Sequence, residues 1–386
     1  MKIKIAIVHL GFALTGIVTT LLGPILPLLA AQWHLNDAQA GRLFLVQFIA
    51  SPTGALIASK VLSRWGATWT VPIGMFLIAG GVSTVGLGTL PFALIGIALY
   101  GLGLGFALPS TNLLVVEMVT EGQAAALNIL NFSWTLGAVL APVAISAMLR
   151  PVGLRGFLFL LGGTVLLIAV AETLAFPKGG AVSASTRRGK IAPALRLTFA
   201  ALTLAFLFLY VGIENGFSGW VPAFSMRSQH TSPATTAWLQ SSFWASILLG
   251  RLMAPLVLRV LRPSLFIVTG LAVATCGIML AIVSPTMPVL EAGVILSGLG
   301  MAGVFPTAIA VFAEWYGTGG TGSIVLGCCG FGGAMVPWLV GVVSNRSQNL
   351  RLGLVVTLAC TAAAALLYWR MSVVTRDQTT KTAAAI

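Results

Sequence analysis

The sequence predicts an all-α membrane protein: twelve transmembrane helices in two pseudo-symmetric six-helix halves. Three observations predict it. The first is composition. Of 386 residues, 58% are hydrophobic and 8% charged, with a mean hydropathy of +1.01. Soluble domains are about 45–50% apolar and about 25% charged, so a water-soluble globule could not bury this chain's apolar surface. The second is a series of twelve apolar runs, each about long enough to cross a bilayer. The third is a repeat that places glycines and prolines of the first half in register with those of the second. Disorder, a disulfide scaffold and a soluble acid–base enzyme are excluded by the same composition.

The runs fall near 5–31, 42–62, 69–89, 92–116, 123–149, 156–176, 197–222, 234–258, 264–284, 287–313, 321–344 and 352–370. The first follows Met1-Lys2-Ile3-Lys4 and resembles a secretion signal at its start. It continues for about 27 residues and contains Gly23, Pro24 and Pro27, well beyond the about 7–15 residues of a signal core. It is therefore read as a true span. With an even number of spans and the N-terminus inside, 15 of the 21 Lys and Arg lie on the inner side and six (Arg42, Arg150, Arg155, Arg227, Arg346, Arg351) on the outer. Both termini are expected in the cytoplasm of a cell (inner) membrane, by the excess of inner positive charge.

Polar residues 177–196, opening Pro177-Lys178-Gly179-Gly180 and including Arg187, Arg188 and Lys190, separate the halves. The expected organisation is an N-terminal six-helix half at 1–176, a basic cytoplasmic linker at 177–196, and a C-terminal half with a short cytoplasmic tail at 197–386. The repeat is the most informative feature. Gly101-Leu102-Gly103 and Pro109 recur as Gly298-Leu299-Gly300 and Pro306 at an offset of 197, which also carries Glu117 to Glu314. Pro24 maps to Pro222 at 198, Gly54 to Gly250 at 196, and Gly137 with Pro142 to Gly332 with Pro337 at 195. Parallel repeats related by an axis along the membrane normal are a transporter plan, with the substrate site near the midplane.

The net charge of +13 lies at span ends rather than in a stripe interleaved with aromatics, so no nucleic-acid partner is expected. Cys276, Cys328, Cys329 and Cys360 fall within apolar runs without metal-ligand spacing. Neither a metal nor a cofactor is expected. The Gly101-x-Gly103-x-Gly105 run has no strand before it, and no Lys-Ser/Thr follows a glycine loop, so no nucleotide drive is expected.

Glu214 is the outstanding polar residue, a carboxylate within the seventh run. A charge near the bilayer centre costs about 2.5–3.5 kcal/mol on insertion scales and usually faces a cavity, a partner or a pathway. It reads as a substrate hydrogen-bonding group or proton carrier, against a structural tie between helices. The amides Gln47, Asn112, Asn128, Asn131, Asn215 and Gln240 also lie within spans, beside Trp134, Tyr210, Phe243 and Trp244. Amides and aromatic faces suit a hydroxyl-rich ligand; they equally serve as glue between helices. Glu117 and Glu314, at inner helix ends near Arg64, Arg259 and Arg262, read as a cytoplasmic latch. Asp37 reads as solvated and Glu172 as reaching an interface. Trp33, Trp65, Trp69, Trp220, Trp315 and Trp369 read as an interfacial belt.

The chain resembles the major facilitator superfamily, and most closely its fucose-permease-like branch of sugar–proton symporters. The resemblance spans the chain. It is carried by Tyr210-Val211-Gly212-Ile213-Glu214-Asn215-Gly216 with Trp220, by Phe243-Trp244 leading to Gly250-Arg251, and by Gly298-Leu299-Gly300-Met301-Ala302-Gly303-Val304-Phe305-Pro306-Thr307. Asn112, Asn128 and Gly137…Pro142 add to it. The loop after span two reads Ser63-Arg64-Trp65-Gly66, without the family's usual acid, and span one has no carboxylate where the branch carries one. The resemblance implies a monomeric carrier that moves a small polar, sugar-like solute by alternating access, with protons as possible co-substrate. Proton-driven efflux of amphipathic compounds, and a transport-dead receptor or scaffold of the same fold, are the alternatives. An enzyme is not expected.

Overall fold

The computed structural model describes residues 2–118, 123–176, 187–188, 191, 193–318, 325 and 328–384. Its helices are α1 (Lys2–Thr20), α2 (Leu22–Gln32), α3 (Asp37–Trp65), α4 (Ala67–Val85), α5 (Leu90–Met118), α6 (Gln123–Ala175), α7 (Arg196–Ser228), α8 (Pro233–Val257), α9 (Pro263–Val283), α10 (Met287–Met301), α11 (Val304–Tyr316), α12 (Gly332–Ser347) and α13 (Leu350–Ala384). Among the described residues, nine helical stretches are long and apolar enough to cross a membrane. One of them, α6, holds two spans. With α8 and α12 the count is twelve, so the protein is a multi-pass membrane protein.

Local chemistry sets the boundaries. Span one is interrupted at Leu21, where Pro24 offers no N–H to the carbonyl of Thr20. Span two begins at a capping box: Asn36 accepts from the Gln39 backbone N–H, and the Gln39 side chain accepts from that of Asn36. Within α6 the chain reverses at Gly153, whose φ of 71° suits glycine far better than a residue with a Cβ. Span ten is split into α10 and α11 at Ala302–Gly303.

The chain forms two compact units, 1–182 with 218–245, and 183–217 with 246–386. The division differs from the one expected at the linker: the second part of span seven and the first part of span eight group with the N-terminal helices. In the first unit Gly137 of span five lies against the carbonyl of Ala13 in span one, and in the second Gly332 of span eleven lies against that of Phe208 in span seven. A methyl at either glycine would overlap that oxygen. The two contacts stand at the same offset, 195, as their glycines.

Part of the 177–196 segment is described, and it is tethered rather than free. Arg187–Arg188 pairs antiparallel with Gly317–Thr318. The Ile191 N–H donates to the Trp315 carbonyl at 2.9 Å, and the Arg196 guanidinium lies 5.7 Å from the Tyr316 ring centroid. The C-terminal end of α11 thus holds the described residues before α7.

Three sequence expectations are corrected. Asp37 is buried and ion-paired instead of solvated. Glu172 is 1% exposed, packed against Gly11 of α1 instead of extending to the protein surface. Trp220, expected in the interfacial belt, is fully buried beside Phe44.

Candidate functional site

Some of the polar residues of the spans form two centres, one in each unit. In the first unit, Gln240 and Trp244 lie one turn apart on α8, so they share a face. Trp134 of α6 meets Trp244 edge to face, centroids 5.7 Å apart and planes at 82°; Phe243 adds a second edge contact at 5.4 Å. The Gln240 amide packs on Gly23 of α2, and its Nε2 donates to the Ser218 carbonyl at 3.3 Å. Gln240 and Trp244 are each 2% exposed. Yet Gln240 Oε1, Trp134 Nε1 and Trp244 Nε1 are buried without a hydrogen-bond partner among the described residues. Buried polar atoms are nearly always paired. Two N–H donors and one carbonyl acceptor left open in one neighbourhood form a ready receptor for hydroxyl groups, with indole surface beside them for the apolar face of a ring.

Of the remaining amides expected to bind substrate, Gln47 is committed elsewhere. It donates to the Thr19 carbonyl at 2.9 Å and accepts from Tyr100 Oη at 3.0 Å, fully buried. It ties spans one, two and four together. Asn112, Asn131 and Asn215 each donate Nδ2 to the carbonyl four residues earlier, at 2.8 Å. Asn128 is exposed, and so is Asn131, one turn from Trp134 on the same helix.

In the second unit the centre is the break in span ten. Pro306 has no N–H for the carbonyl of Ala302, its natural helical acceptor four residues back. Arg251 Nε of α8 donates to that oxygen at 3.3 Å. The adjoining carbonyl of Met301 accepts from Tyr210 Oη of α7 at 2.7 Å, while the Tyr210 ring stacks on Phe305 at 5.6 Å. Glu214, one turn along α7 from Tyr210, is half-buried and interacts electrostatically with Arg251. Arg251 is the functional candidate that sequence reasoning missed. It sits inside the apolar run at 234–258 but was counted with the inner basic residues that set orientation. The available signal was an arginine and a glutamate both embedded in spans, since such charges seek each other.

Arg64, Glu117, Arg259, Arg262 and Glu314 are all exposed, at or near helix ends. Arg64 and Glu117 belong to the first unit and the other three to the second.

A twelve-span bundle with internal repeats, broken spans and polar groups at mid-span is the architecture of a membrane solute transporter. Residues 8–325 match the Major Facilitator Superfamily family model, and the chain belongs to that superfamily. The glucose/mannose transporter GlcP of Bacillus subtilis (strain 168) is 25% identical over 372 residues, covering 90% of each chain. Among solved structures, a bacterial homolog of the human lysosomal transporter Spinster, inward-facing and unoccupied, superposes with a TM-score of 0.76 at 17% identity, covering 98% of both chains. The transporter FucP in its outward conformation gives 0.64 at 14% identity, over 95% of this chain and 98% of that one.

Proposed function

We propose that this transporter moves a small, neutral, sugar-like solute by alternating access across a cell membrane, with both termini cytoplasmic. It acts as a monomer, with 1–176 and 197–386 as its moving halves and Arg64, Glu117, Arg259, Arg262 and Glu314 as an inner latch. One observation carries the substrate class: the buried, open set of Trp134 Nε1, Trp244 Nε1 and Gln240 Oε1. Uncharged donors and an acceptor beside indole faces match a hydroxylated ring better than an ion. The glucose/mannose specificity in the name of its Bacillus relative supports the same class. Asn128 and Asn131 extend the polar lining along span five. Glu214 carries the proton, with Arg251 as the counter-charge that makes a carboxylate tolerable in a span.

The test is uptake of labelled glucose, mannose and fucose into proteoliposomes, with and without an acid-outside gradient. Trp244→Phe keeps an aromatic ring, though a smaller one, and removes the indole N–H; a hydrogen bond of about 1–1.5 kcal/mol predicts a KM about tenfold higher with kcat little changed. An unchanged KM removes Trp244 from the site. Glu214→Gln is expected to bind sugar as before and to lose the gradient's acceleration.

Efflux of amphipathic compounds is the second reading. It is favoured by the Trp134–Trp244–Phe243 cluster and by the amide donors of Asn112, Asn131 and Asn215 being bonded to their own helices. It predicts gradient-driven extrusion of a lipophilic dye and no competition by sugars.

A further inference from the structure

At one end of the first unit, segment 218–245 is knit to the N-terminal helices by contacts that form a layered closure. In the orientation proposed above this is the outer end. Asp37 is the first residue of α3 and Arg227 lies in the last turn of α7. Arg227 Nη1 donates to Asp37 Oδ2 at 2.7 Å and Nη2 to Oδ1 at 2.6 Å. This is the two-pronged pairing that gives arginine–carboxylate bridges their strength and direction. The Asp37 side chain is 11% exposed and that of Arg227 51%. Two turns deeper on α3 and α7, the Phe44 ring meets the Trp220 ring, centroids 6.4 Å apart. Phe44 also covers Gly219, where an added Cβ would stand 2.7 Å from Phe44 Cζ. Ser241 Oγ donates to the Val139 carbonyl at 2.8 Å on the adjoining side.

Residues 218–245 belong to the second sequence repeat, and the helices they pack on belong to the first. A transporter with its site near the midplane must expose that site to each side in turn. Access from the outer side requires the ends of spans seven and eight to part from the first repeat, and the Asp37–Arg227 pair lies across that parting line. We propose that Asp37 and Arg227 are positioning residues forming an outer clasp, with Phe44, Gly219 and Trp220 as an apolar plug beneath it. The clasp is closed in this structure and opens once in each transport cycle. Neither residue touches the solute.

The energetics suit a clasp rather than a permanent rivet. A deeply buried ion pair is strongly destabilised when one partner leaves, because a desolvated charge remains. Here Arg227 is already half in water. Asp37 sits at a helix N-terminus, where the helix dipole favours negative charge. Parting exchanges the pair for water on one side and for water plus the α3 dipole on the other. The plug beneath excludes water only while the rings are in contact. The inference rests on membership of the transporter family and is independent of the substrate class.

The test is hydrogen–deuterium exchange of the intact protein in lipid nanodiscs. In Asp37→Asn and Arg227→Gln, residues 36–44 and 219–228 are expected to exchange about tenfold faster than in wild type, as local opening grows more frequent. Segments of α9 and α10 should be unchanged. The charge-keeping variant Asp37→Glu should retain most of the protection. Gly219→Ala, which displaces Phe44 and leaves both charges, should deprotect the same two segments. Unchanged exchange in both single neutralisations overturns the clasp. So does deprotection spread over the whole chain, which would mark a brace for folding, or a loss of protection in Asp37→Glu as large as in Asp37→Asn.

Discussion

Spans four and ten are built on one skeleton, yet they take different shapes. Each carries Gly-Leu-Gly eight residues before a proline, and the proline of each frees the carbonyl four residues back, Gly105 in span four and Ala302 in span ten. Their glycines also pack alike. Gly103 lies on Gly74 of span three as Gly300 lies on Gly270 of span nine, and Gly96 lies on Gly81 as Gly293 lies on Gly277. Span four nevertheless runs as one helix, Leu90–Met118, whereas span ten divides at Ala302–Gly303. The difference lies in what other helices offer. In the second unit Tyr210 and Arg251 supply donors to Met301 and Ala302, so the broken turn keeps its hydrogen bonds. The duplicated glycines and prolines make a break possible; an arginine and a tyrosine from neighbouring helices make it stable. The charge of Arg251 then makes room for Glu214, while the first unit keeps an uncharged centre of indoles and an amide.

Removing the arginine is the strongest way to break this comparison. Arg251→Leu takes away both the donor to the Ala302 carbonyl and the counter-charge of Glu214. Stranding a half-buried charge costs less than the about 3–5 kcal/mol of a fully buried one, and transport is expected to fall by about 100-fold or more. Adding Glu214→Gln to Arg251→Leu should recover thermal stability, since no charge is then stranded, but not gradient-driven uptake. A melting curve and a flux assay on the two variants measure both effects.

The repeat and the twelve spans were legible because they are written in hydropathy and in glycine and proline positions, which act through the backbone. Gly137 and Gly332 needed no side-chain partner to be read: their offset in sequence is the offset of the helices they touch. Asp37 and Trp220 were misplaced for a physical reason. Hydropathy locates a residue along the membrane normal but not around the helix. When both faces of a span are apolar, nothing marks the buried one. Asp37 is paired with a residue 190 positions away, a separation that no local pattern reports. Gln47 illustrates the same limit within the site: its residue type fits a ligand or a helix partner, and only the positions of Thr19 and Tyr100 decide. Arg251 was hidden by its own usefulness, since lysine and arginine at span ends are the strongest topological signal.

A gentler change separates the two spans by their prolines. Pro306→Ala returns an N–H that competes with Arg251 for the Ala302 carbonyl and lets α10 and α11 join. Gaining one helical hydrogen bond contributes about 1 kcal/mol, so the melting temperature should rise. Transport should fall about tenfold as the arginine loses its acceptor. Pro109→Ala acts on a helix that is already continuous and is expected to change flux less than about twofold. Equal losses in the two variants would show that the break in span ten has no special role.

A smaller loss of flux than that of Pro306→Ala isolates the other donor. Tyr210→Phe removes the hydroxyl that bonds the Met301 carbonyl at 2.7 Å and leaves the ring stacked on Phe305. The carbonyl then lies buried without that partner, at a cost of about 1–3 kcal/mol. Arg251 still holds Ala302, so the break itself should persist. A modestly lowered melting temperature and a flux reduced about threefold follow, with the pH dependence assigned to Glu214 intact. If Tyr210→Phe instead matched Arg251→Leu, the tyrosine rather than the charged pair would be what distinguishes span ten from span four.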